Sequence, residues 1–371
     1  MWLLKRRCGE MGIHESSAER RASRSRRCAL GLMVATCLAA TVSFGSGCDD
    51  APDDKRDLVG QLTDGLDLVE ADAPELYLGV WGASDEAVWI AGGTVRAGVI
   101  LYYDGASLGQ ESTPPGPMLW WVFGFGPEQV WACGHGGRVL RRTDGVWRAE
   151  TTGLEENAVL WGVWGSGPND LWAVGGSVRP DGPKGIVLRS TGDGTWTQIE
   201  DPSFPDDLSH YKVWGTGPDD VHIVGDGGVT IHWDGQGFTR ADTAVPETIF
   251  TVHGRPGGPI LAVGGTAEGL AYRYEDGAWA QEDFVEGVPP LNGVFVLEDG
   301  HAIMTGGRGV VYVRSPTGQY TRVEARVQAD LGSQTLHAVW HGQHSWMVGG
   351  NIVRGNNGVI VSDVQPAPTQ E

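Results

Sequence analysis

The sequence is short of positive charge. Its 371 residues include 27 lysines and arginines against 47 aspartates and glutamates, a formal net charge of −20. Residues 1–47 hold eight of the basic and three of the acidic residues, so the rest of the chain has 19 basic and 44 acidic residues, a net charge of −25. Phosphate backbones and anionic lipid headgroups repel such a surface. We therefore expect no nucleic-acid partner and no direct adhesion of the folded body to an anionic membrane.

Cysteine is also scarce. The chain has five, and three of them (Cys8, Cys28 and Cys37) precede Cys48. If the mature chain begins at a lipid-modified Cys48, Cys133 is its one remaining thiol and no internal disulfide can form. Cys133 occupies a repeat position that valine holds in four other copies (Val174, Val224, Val263 and Val348), which predicts an inert, buried thiol.

Recognisable catalytic motifs are missing. The sequence has no phosphate-binding Gly-Lys-Ser/Thr and no His-Glu-x-x-His, and its Gly-x-Ser-x-Gly at 105–109 begins in an Asp-Gly hairpin turn rather than between a strand and a helix. His337, His341 and His344 are close in sequence and His222 and His232 flank a hairpin, but no cysteine or carboxylate completes a familiar zinc spacing. We expect no catalytic, cofactor-binding or metal site. Paired carboxylates for glycoside cleavage stay an open alternative, because their separation of roughly 5–10 Å leaves no signature in a sequence.

Residues 1–47 have the order of an export signal. A basic segment at 20–27 is followed by an apolar run at 28–42 and then by small residues. The apolar run has 15 residues, fewer than the ~20 of a membrane-spanning helix. Ser46-Gly47-Cys48 resembles the signal of bacterial lipoproteins, in which the cysteine thiol receives diacylglycerol. The resemblance implies a lipid anchor on Cys48 at the cell envelope; an ordinary cleaved signal, which gives a soluble periplasmic or secreted protein, is the alternative.

One motif recurs seven times along the rest of the chain. It consists of an aliphatic-Val-aromatic-Gly stretch, a polar turn and a second apolar stretch that ends in glycine. We call the residue that follows the repeated valine the anchor position, and successive anchors are 39 to 50 residues apart. The seven anchors are Trp81, Phe123, Trp164, Trp214, His253, Phe295 and Trp340. Repeats of this length are typical of propellers.

Each copy predicts four short strands, with Asp-Gly pairs such as Asp144-Gly145 at the turn before the fourth, where glycine tolerates a positive φ. The last copy lacks its fourth strand after residue 363, and residues 64–70 parallel the fourth-strand segment 144–150 of an earlier copy. The sequence therefore predicts an all-β, seven-bladed β-propeller of four-stranded blades. An N-terminal strand completes the last blade and closes the ring, so that no edge is exposed. A linear solenoid is the rival fold.

Residues 163–175 read V-W-G-S-G-P-N-D-L-W-A-V-G. This stretch and its looser copies resemble a propeller family common in deltaproteobacterial lipoproteins, written around V-W-G-S-G-P-N-D-V-W-A-V-G. They are distantly similar to the Asp-box propellers of sialidases and photosystem assembly factors. The resemblance covers residues 64–364 and implies a fold rather than a function. The predicted organisation is an export segment at 1–47, a flexible acidic tether at 48–62, the propeller at 63–364 and a disordered tail at 365–371.

The position three residues before the anchor is rich in aromatic residues. Because the first strand of each blade lines the channel of a propeller, this column is a candidate ligand-facing surface, although packing between blades demands the same residue types. Its members are Leu78, Trp120, Trp161, Tyr211, Phe250, Asn292 and His337. Aromatic walls suit sugars, peptides and organic cations.

These observations favour a monomeric, exported binding scaffold without a cofactor. It would present its loops to a protein or glycan of the cell envelope and would reach the membrane through its lipid alone. Two alternatives stay open. One is a glycan-active hydrolase or lyase whose site lies at the channel mouth, and the other is an assembly factor for an envelope complex.

Overall fold

The structure, a computed structural model, describes residues 57–177, 179, 181–182 and 184–367. In these residues the chain forms seven separate four-stranded sheets with antiparallel pairing. The first strand of each sheet contacts the first strand of the next, and the last contacts the first, so the sheets form a closed ring. The predicted seven-bladed β-propeller is confirmed. No helix in the described residues is long and apolar enough to cross a membrane.

The described chain begins with helix α1 (Leu58–Gly65) and strand β1 (Asp67–Ala73). Blades 1, 2 and 3 follow, each with four consecutive strands. Blade 1 contains β2 (Leu76–Ser84), β3 (Ala87–Gly93), β4 (Gly98–Tyr103) and β5 (Leu108–Gln110). Blade 2 contains β6 (Leu119–Gly126), β7 (Gln129–Gly134), β8 (Val139–Thr143) and β9 (Val146–Glu150). Blade 3 contains β10 (Ala158–Gly167), β11 (Asp170–Ser177), β12 (Ile186–Ser190) and β13 (Thr197–Gln198).

Blades 4, 5 and 6 repeat the arrangement. Blade 4 contains β14 (His210–Gly217), β15 (Asp220–Gly225), β16 (Thr230–Trp233) and β17 (Phe238–Arg240). Blade 5 contains β18 (Ile249–Gly254), β19 (Ile260–Gly264), β20 (Leu270–Glu275) and β21 (Ala278–Gln281). Blade 6 contains β22 (Leu291–Val296), β23 (Ala302–Gly306), β24 (Val311–Arg314) and β25 (Tyr320–Arg322). Single 3₁₀ turns lie at Asp226–Gly228 and Gly307–Gly309, and a short helix, α2, at Gln328–Leu331.

Blade 7 joins the two ends of the propeller. It contains β26 (Thr335–His341), β27 (Ser345–Asn351) and β28 (Asn356–Ser362), and β1 pairs with β28 as its fourth strand. The predicted closure by an N-terminal strand is confirmed. Beyond β28 the chain continues to blade 1, where the Ala367 N–H donates to the Ala106 carbonyl oxygen at 2.8 Å. This contact places residue 367, within the range predicted as a tail, against blade 1.

Helix α1 includes residues 58–62 of the range predicted as a tether. Asp57 caps it, because the Asp57 carboxylate accepts from the Gly60 N–H at 2.7 Å. Leu62 and Leu66, one turn apart, are buried in a cluster that includes Ile303 of blade 6 and Val361 of blade 7. The i, i+4 spacing of these leucines gives the segment an apolar face, which packs on the propeller.

Second strands form the densest layer of each blade. The anchor position of each first strand lies opposite a second-strand residue, and in blades 1, 3 and 7 both residues are tryptophans. The second-strand tryptophans Trp89, Trp131, Trp172 and Trp346 have no exposed surface. Their side chains fill the space between neighbouring sheets, and burial of a large aromatic side chain contributes about 2–3 kcal/mol.

Acidic residues at the ends of fourth strands connect each blade to the next at three places. The Glu111 carboxylate, which follows β5, accepts from the Trp147 indole at 2.6 Å and from the Arg142 guanidinium at 3.0 Å. Glu150 in β9 accepts from the Trp196 indole at 2.7 Å. Glu282, which follows β21, accepts from the Arg314 Nε–H at 2.6 Å and from the Tyr320 hydroxyl. We call these contacts the blade latches.

Candidate functional site

The central channel contains a cavity of about 360 Å³. Its wall is built from the repeated valine and anchor positions of the first strands, so every blade contributes to it. Trp81, Phe123, Trp164 and Trp214 supply much of the aromatic surface. His253, Arg255 and Pro256 lie on the blade 5 side, where β18 leads into its loop. The cavity therefore opens toward the loops that connect first to second strands.

A second set of residues reaches into the cavity from the position two before the anchor. In three blades this residue is glycine, and a Cβ atom on Gly79 would lie 2.8 Å from the Trp121 Cα atom of the next blade. The glycines let neighbouring first strands approach closely. The space in the channel is taken up by the two large members of the set, Trp121 and Lys212, both of which line the cavity. The seven members are Gly79, Trp121, Gly162, Lys212, Thr251, Gly293 and Ala338.

Lys212 is the charged member of this set. Its side chain leaves β14 of blade 4, and its ammonium group lies 3.5 Å from the centroid of the Trp121 ring of blade 2. The Lys212 Nζ also donates to the Trp161 carbonyl oxygen of blade 3 at 3.1 Å. The side chain is 3% exposed. One amine therefore bridges three blades across the channel and forms part of the cavity floor.

No carboxylate in the described residues forms an ion pair with Lys212. The amine is held instead by the face of the Trp121 ring and one carbonyl oxygen, which are weaker partners for a positive charge than a carboxylate. Burial lowers the pKa of Lys212 to about 7, and Cys133 nearby opposes that shift. The neutral form of the amine is therefore far more populated at neutral pH than in an ordinary lysine.

The other titratable groups near the amine are neutral. Burial, with a smaller contribution from the charge of Lys212, lowers the pKa of His337 to about 3, and the His337 Nδ1 lies 2.6 Å from the Leu78 carbonyl oxygen. Burial raises the pKa of the Cys133 thiol to about 12. Burial also lowers the pKa of His253 to about 3, and its Nδ1 accepts from the Val296 N–H at 2.9 Å. Lys212 is thus the inner ionisable group of the cavity, while Arg255 lies at its rim.

The predicted ligand-facing column lies outside this cavity, one residue before the set that contains Lys212. Trp120 contacts Trp161 with centroids 6.5 Å apart, Trp161 contacts Tyr211 at 4.8 Å, and Tyr211 contacts Phe250 at 5.7 Å. These contacts join the first strands of blades 2 to 5. His337 of blade 7 joins the same belt through Trp120 at 5.7 Å. None of these residues lines the cavity.

The remaining two members of the column have no aromatic ring, although Leu78 belongs to a buried cluster against which Trp120 packs. Asn292 is buried and lines a different cavity of about 370 Å³ between blades 5, 6 and 7. Leu78 is buried against Met118. Each member of the column is the unpaired residue of a β-bulge in its first strand, and a bulge changes the direction of the side chains around it.

The histidines near the C-terminus are dispersed. His341 contacts the Ser345 hydroxyl at 2.8 Å and His344 contacts Asp363 at 3.4 Å, so neither shares a partner with His337. Cys133 is buried in the interior of blade 2, as its repeat position predicts. Cys48, the predicted lipid-attachment residue, lies outside the described residues.

Sequence reasoning missed Lys212, although the sequence contained a signal. It is the one charged residue in the aligned column two positions before the anchor. The signal is weak because glycine in a strand usually marks a bulge or a bend, so the glycines of this column do not indicate that they leave room for a larger side chain.

Comparison with known proteins supports the fold and nothing finer. No protein-family model matches the chain, and no curated protein matches it. Similar solved structures include virginiamycin B lyase from Staphylococcus aureus, at 12% identity and a TM-score of 0.64, where the match covers 80% of this chain and 99% of that one. YCF48 bound to D1 peptide matches at 11% identity and a TM-score of 0.57, with 80% and 96% covered. The Cps50 (Swd1) β-propeller domain of Myceliophteria thermophila matches at 12% and 0.60, with 81% and 100% covered.

Proposed function

We propose that the protein is a non-enzymatic binding scaffold of the cell envelope, and that its central channel receives an apolar group carrying a carboxylate from a protein partner. The observation that carries this proposal is the Lys212 amine, which is buried on the floor of an aromatic cavity without an acidic partner in the described residues. A buried charge without a partner is costly. A carboxylate that entered the cavity would offset that cost and raise the protonated fraction of the amine.

The chemistry of the wall favours an apolar anion over a sugar. Sugars require many hydrogen-bonding groups, but two polar groups of this wall are already engaged: the Thr251 hydroxyl donates to the Asn292 carbonyl oxygen at 2.6 Å, and the Val296 N–H occupies the His253 Nδ1. An apolar body instead gains from burial against tryptophan and valine. The volume of about 360 Å³ suits one aromatic or aliphatic side chain with its acid group.

The test uses a matched pair of small probes, 3-phenylpropanoate and its uncharged amide, titrated calorimetrically into the full-length protein at pH 6. We expect the carboxylate to bind at least about tenfold more tightly than the amide, because one charge-assisted hydrogen bond is worth about 1.5–3 kcal/mol. Lys212→Met should abolish that preference, whereas Arg255→Gln at the rim should retain it. Equal affinities of the two probes for the wild-type protein, or no binding of either, would overturn the proposal.

The affinity for the carboxylate should also depend on pH. The free amine has a pKa of about 7, so most of it is protonated at pH 6. Above pH 7 the carboxylate must bind together with a proton, and its affinity should fall about tenfold per pH unit. The uncharged amide should show no such dependence. A flat carboxylate profile between pH 6 and 9 would mean that the amine does not hold the acid.

The proposed location at the envelope rests on the sequence of residues 1–48. Intact mass of membrane-extracted protein tests it, together with the mass of the N-terminal peptide. A mature start at Cys48 with added acyl mass is expected, and Cys48→Ser should release the protein from the membrane fraction. An unacylated N-terminus near residues 43–49 would instead indicate a soluble periplasmic or secreted protein.

A second candidate function is a lyase that uses Lys212 as a general base. An amine with a pKa of about 7 that lines a cavity has the proton affinity such a base needs near neutral pH. No aspartate or glutamate lines the cavity, so the paired carboxylates of a glycoside hydrolase are absent from it. Mass spectrometry of bound anions after incubation separates the two functions. A binder returns the anion unchanged, whereas a lyase gives products that Lys212→Met abolishes.

A further inference from the structure

Blade 4 carries a group of three potential metal ligands outside the channel. His222 in β15 lies directly opposite His232 in β16. The Asp220 Oδ1 atom, two residues before His222, is 3.1 Å from the His222 Nε2 and 2.7 Å from the His232 Nε2. The two imidazole rings are stacked, with centroids 4.6 Å apart and planes 15° from parallel. All three ligand atoms lie within 4.8 Å of one another.

The equivalent positions of blade 3 show what the propeller itself requires there. Asp170 begins β11 as Asp220 begins β15, and Trp172 lies opposite Arg189 as His222 lies opposite His232. The Arg189 guanidinium bonds the Asp170 carboxylate at 2.8 Å and lies 4.6 Å from the Trp172 ring centroid. A tryptophan and a permanent cation thus satisfy the packing and charge of these positions. Blade 4 has two imidazoles in their place.

The carboxylate is oriented in the same way in both blades. The Ser166 hydroxyl donates to the Asp170 Oδ2 at 2.6 Å, and the Thr216 hydroxyl donates to the Asp220 Oδ2. This leaves the Asp220 Oδ1 directed at both imidazoles. A hydroxyl that fixes the second oxygen of a ligating carboxylate is the outer support that metal sites require.

The site is open to solvent on one side. His232 is 28% exposed and Asp220 35% exposed at the side chain, so an ion can enter from solvent without unfolding the blade.

We propose that Asp220, His222 and His232 form a binding site for one divalent transition-metal ion. Two imidazole nitrogens and one carboxylate oxygen are the donor set of zinc sites with three protein ligands, in which bonds of about 2.0–2.2 Å leave a fourth position open. The ion replaces the two hydrogen bonds to Asp220 and ties β15 to β16. The site is independent of Lys212 and of the ligand proposed for the channel.

The test titrates Co²⁺ and Zn²⁺ into chelator-treated, full-length protein. We expect one equivalent of Co²⁺ to produce visible d–d absorption and Zn²⁺ to displace it. His222→Trp/His232→Arg, which installs the blade 3 residues, should retain the fold and lose the d–d bands. The reciprocal change in blade 3, Trp172→His/Arg189→His, should add a second equivalent.

A milder variant covers the case in which the double substitution does not fold. His232→Gln keeps a polar side chain of similar size and removes one ligand, and it should weaken Zn²⁺ at least about tenfold, the loss of roughly 1.4 kcal/mol. Absence of metal binding by the wild-type protein would overturn the proposal. So would unchanged affinity in either His232 variant, because the ion would then lie elsewhere.

Discussion

At the scale of single residues, the burial of the Lys212 side chain is costly. It is 3% exposed and its charge faces an indole ring and a carbonyl oxygen. A cation–π contact contributes about 2 kcal/mol when desolvated, whereas transfer of an ammonium group out of water costs several kcal/mol after relaxation. The difference is expressed as the lowered pKa of Lys212. A residue that carries such a cost in a ligand-sized cavity fits a binding role better than a structural one.

The first prediction concerns the stability of Lys212→Met as a function of pH. The pKa of this amine is about 7 in the folded protein against an ordinary value of 10.5, so the unfolded chain binds more protons between these pH values. The cost of burial is complete below pH 7 and is relieved as the pH rises toward 10.5. The variant should therefore exceed the wild-type protein in free energy of unfolding by a few kcal/mol at pH 6, and the gain should shrink as the pH rises.

Urea unfolding of both proteins at pH 6, 8 and 9.5 measures this difference. Arg255→Gln, a cation at the rim, serves as the control and should show a small, pH-independent change. A Lys212→Met gain that stays constant between pH 6 and 9.5 would mean that the amine titrates normally in the folded protein.

The aromatic column that the sequence singled out lies on the first strands but does not line the cavity. The repeated valine placed each first strand in the channel wall, yet which side chains reach the cavity depends on the bulges at residues such as Trp161. The contact of Lys212 with Trp121 joins blades 2 and 4, which are not neighbours in sequence, and follows only from closure of the ring. The cluster of Asp220, His222 and His232 was easier to predict from the sequence. Alignment of blades 3 and 4 shows that two histidines replace Trp172 and Arg189.

At the scale of elements, the blade latches explain why many fourth strands read as an aromatic residue followed by an acid. The acid of one blade bonds the aromatic residue and, in two cases, an arginine of the next blade. Glu282 is the example whose arginine partner is the most deeply buried. Burial alone would raise the pKa of Glu282, but the hydrogen bonds from Arg314 and Tyr320 hold it below its usual value. Each latch thus fastens the outer strand of one sheet to its neighbour.

The second prediction is that Glu282→Gln lowers the free energy of unfolding by about 3 kcal/mol. The Arg314 side chain is 3% exposed and the Glu282 side chain 11%, and removal of one partner from a buried ion pair leaves the other uncompensated. Thermal and urea unfolding measure the loss. Glu324→Gln is the matched control, because its pair with Arg322 is half or more exposed on both sides and such pairs contribute about 0–1 kcal/mol. Equal losses in the free energy of unfolding of the two variants would mean that the Glu282 latch does not stabilise the fold.

At the scale of the whole molecule, the two ends of the described chain meet in blade 7. β1 pairs with β28 through Leu68 opposite Val361 and Glu70 opposite Ile360. Leu68 and Val69 pack on either side of this strand, one against the cluster of blades 6 and 7 and the other against that of blades 7 and 1. The repeat pattern alone predicted this closure. The last repeat lacks its fourth strand, and the segment before the first repeat has the sequence pattern of a fourth strand. Helix α1 escaped prediction because it belongs to no repeat.

The third prediction is that a variant without residues 57–73 loses its ring closure, and that a peptide with the sequence of the missing residues restores it when added. Removal of α1 and β1 exposes the β28 edge and the apolar residues around Val361, so we expect a lower unfolding midpoint and association through the free edge. A synthetic peptide of residues 57–73 should restore the midpoint and the monomer, measured by thermal unfolding and size-exclusion chromatography. The same peptide with Leu68 and Val69 replaced by aspartate should not, because both faces of the strand would then bring charges into the core. A truncated protein that is monomeric and as stable as the wild type would contradict this prediction. Ring closure would then depend on the contacts between β2 and β26 and on the hydrogen bond between Ala367 and Ala106, and the N-terminal strand would contribute nothing to it.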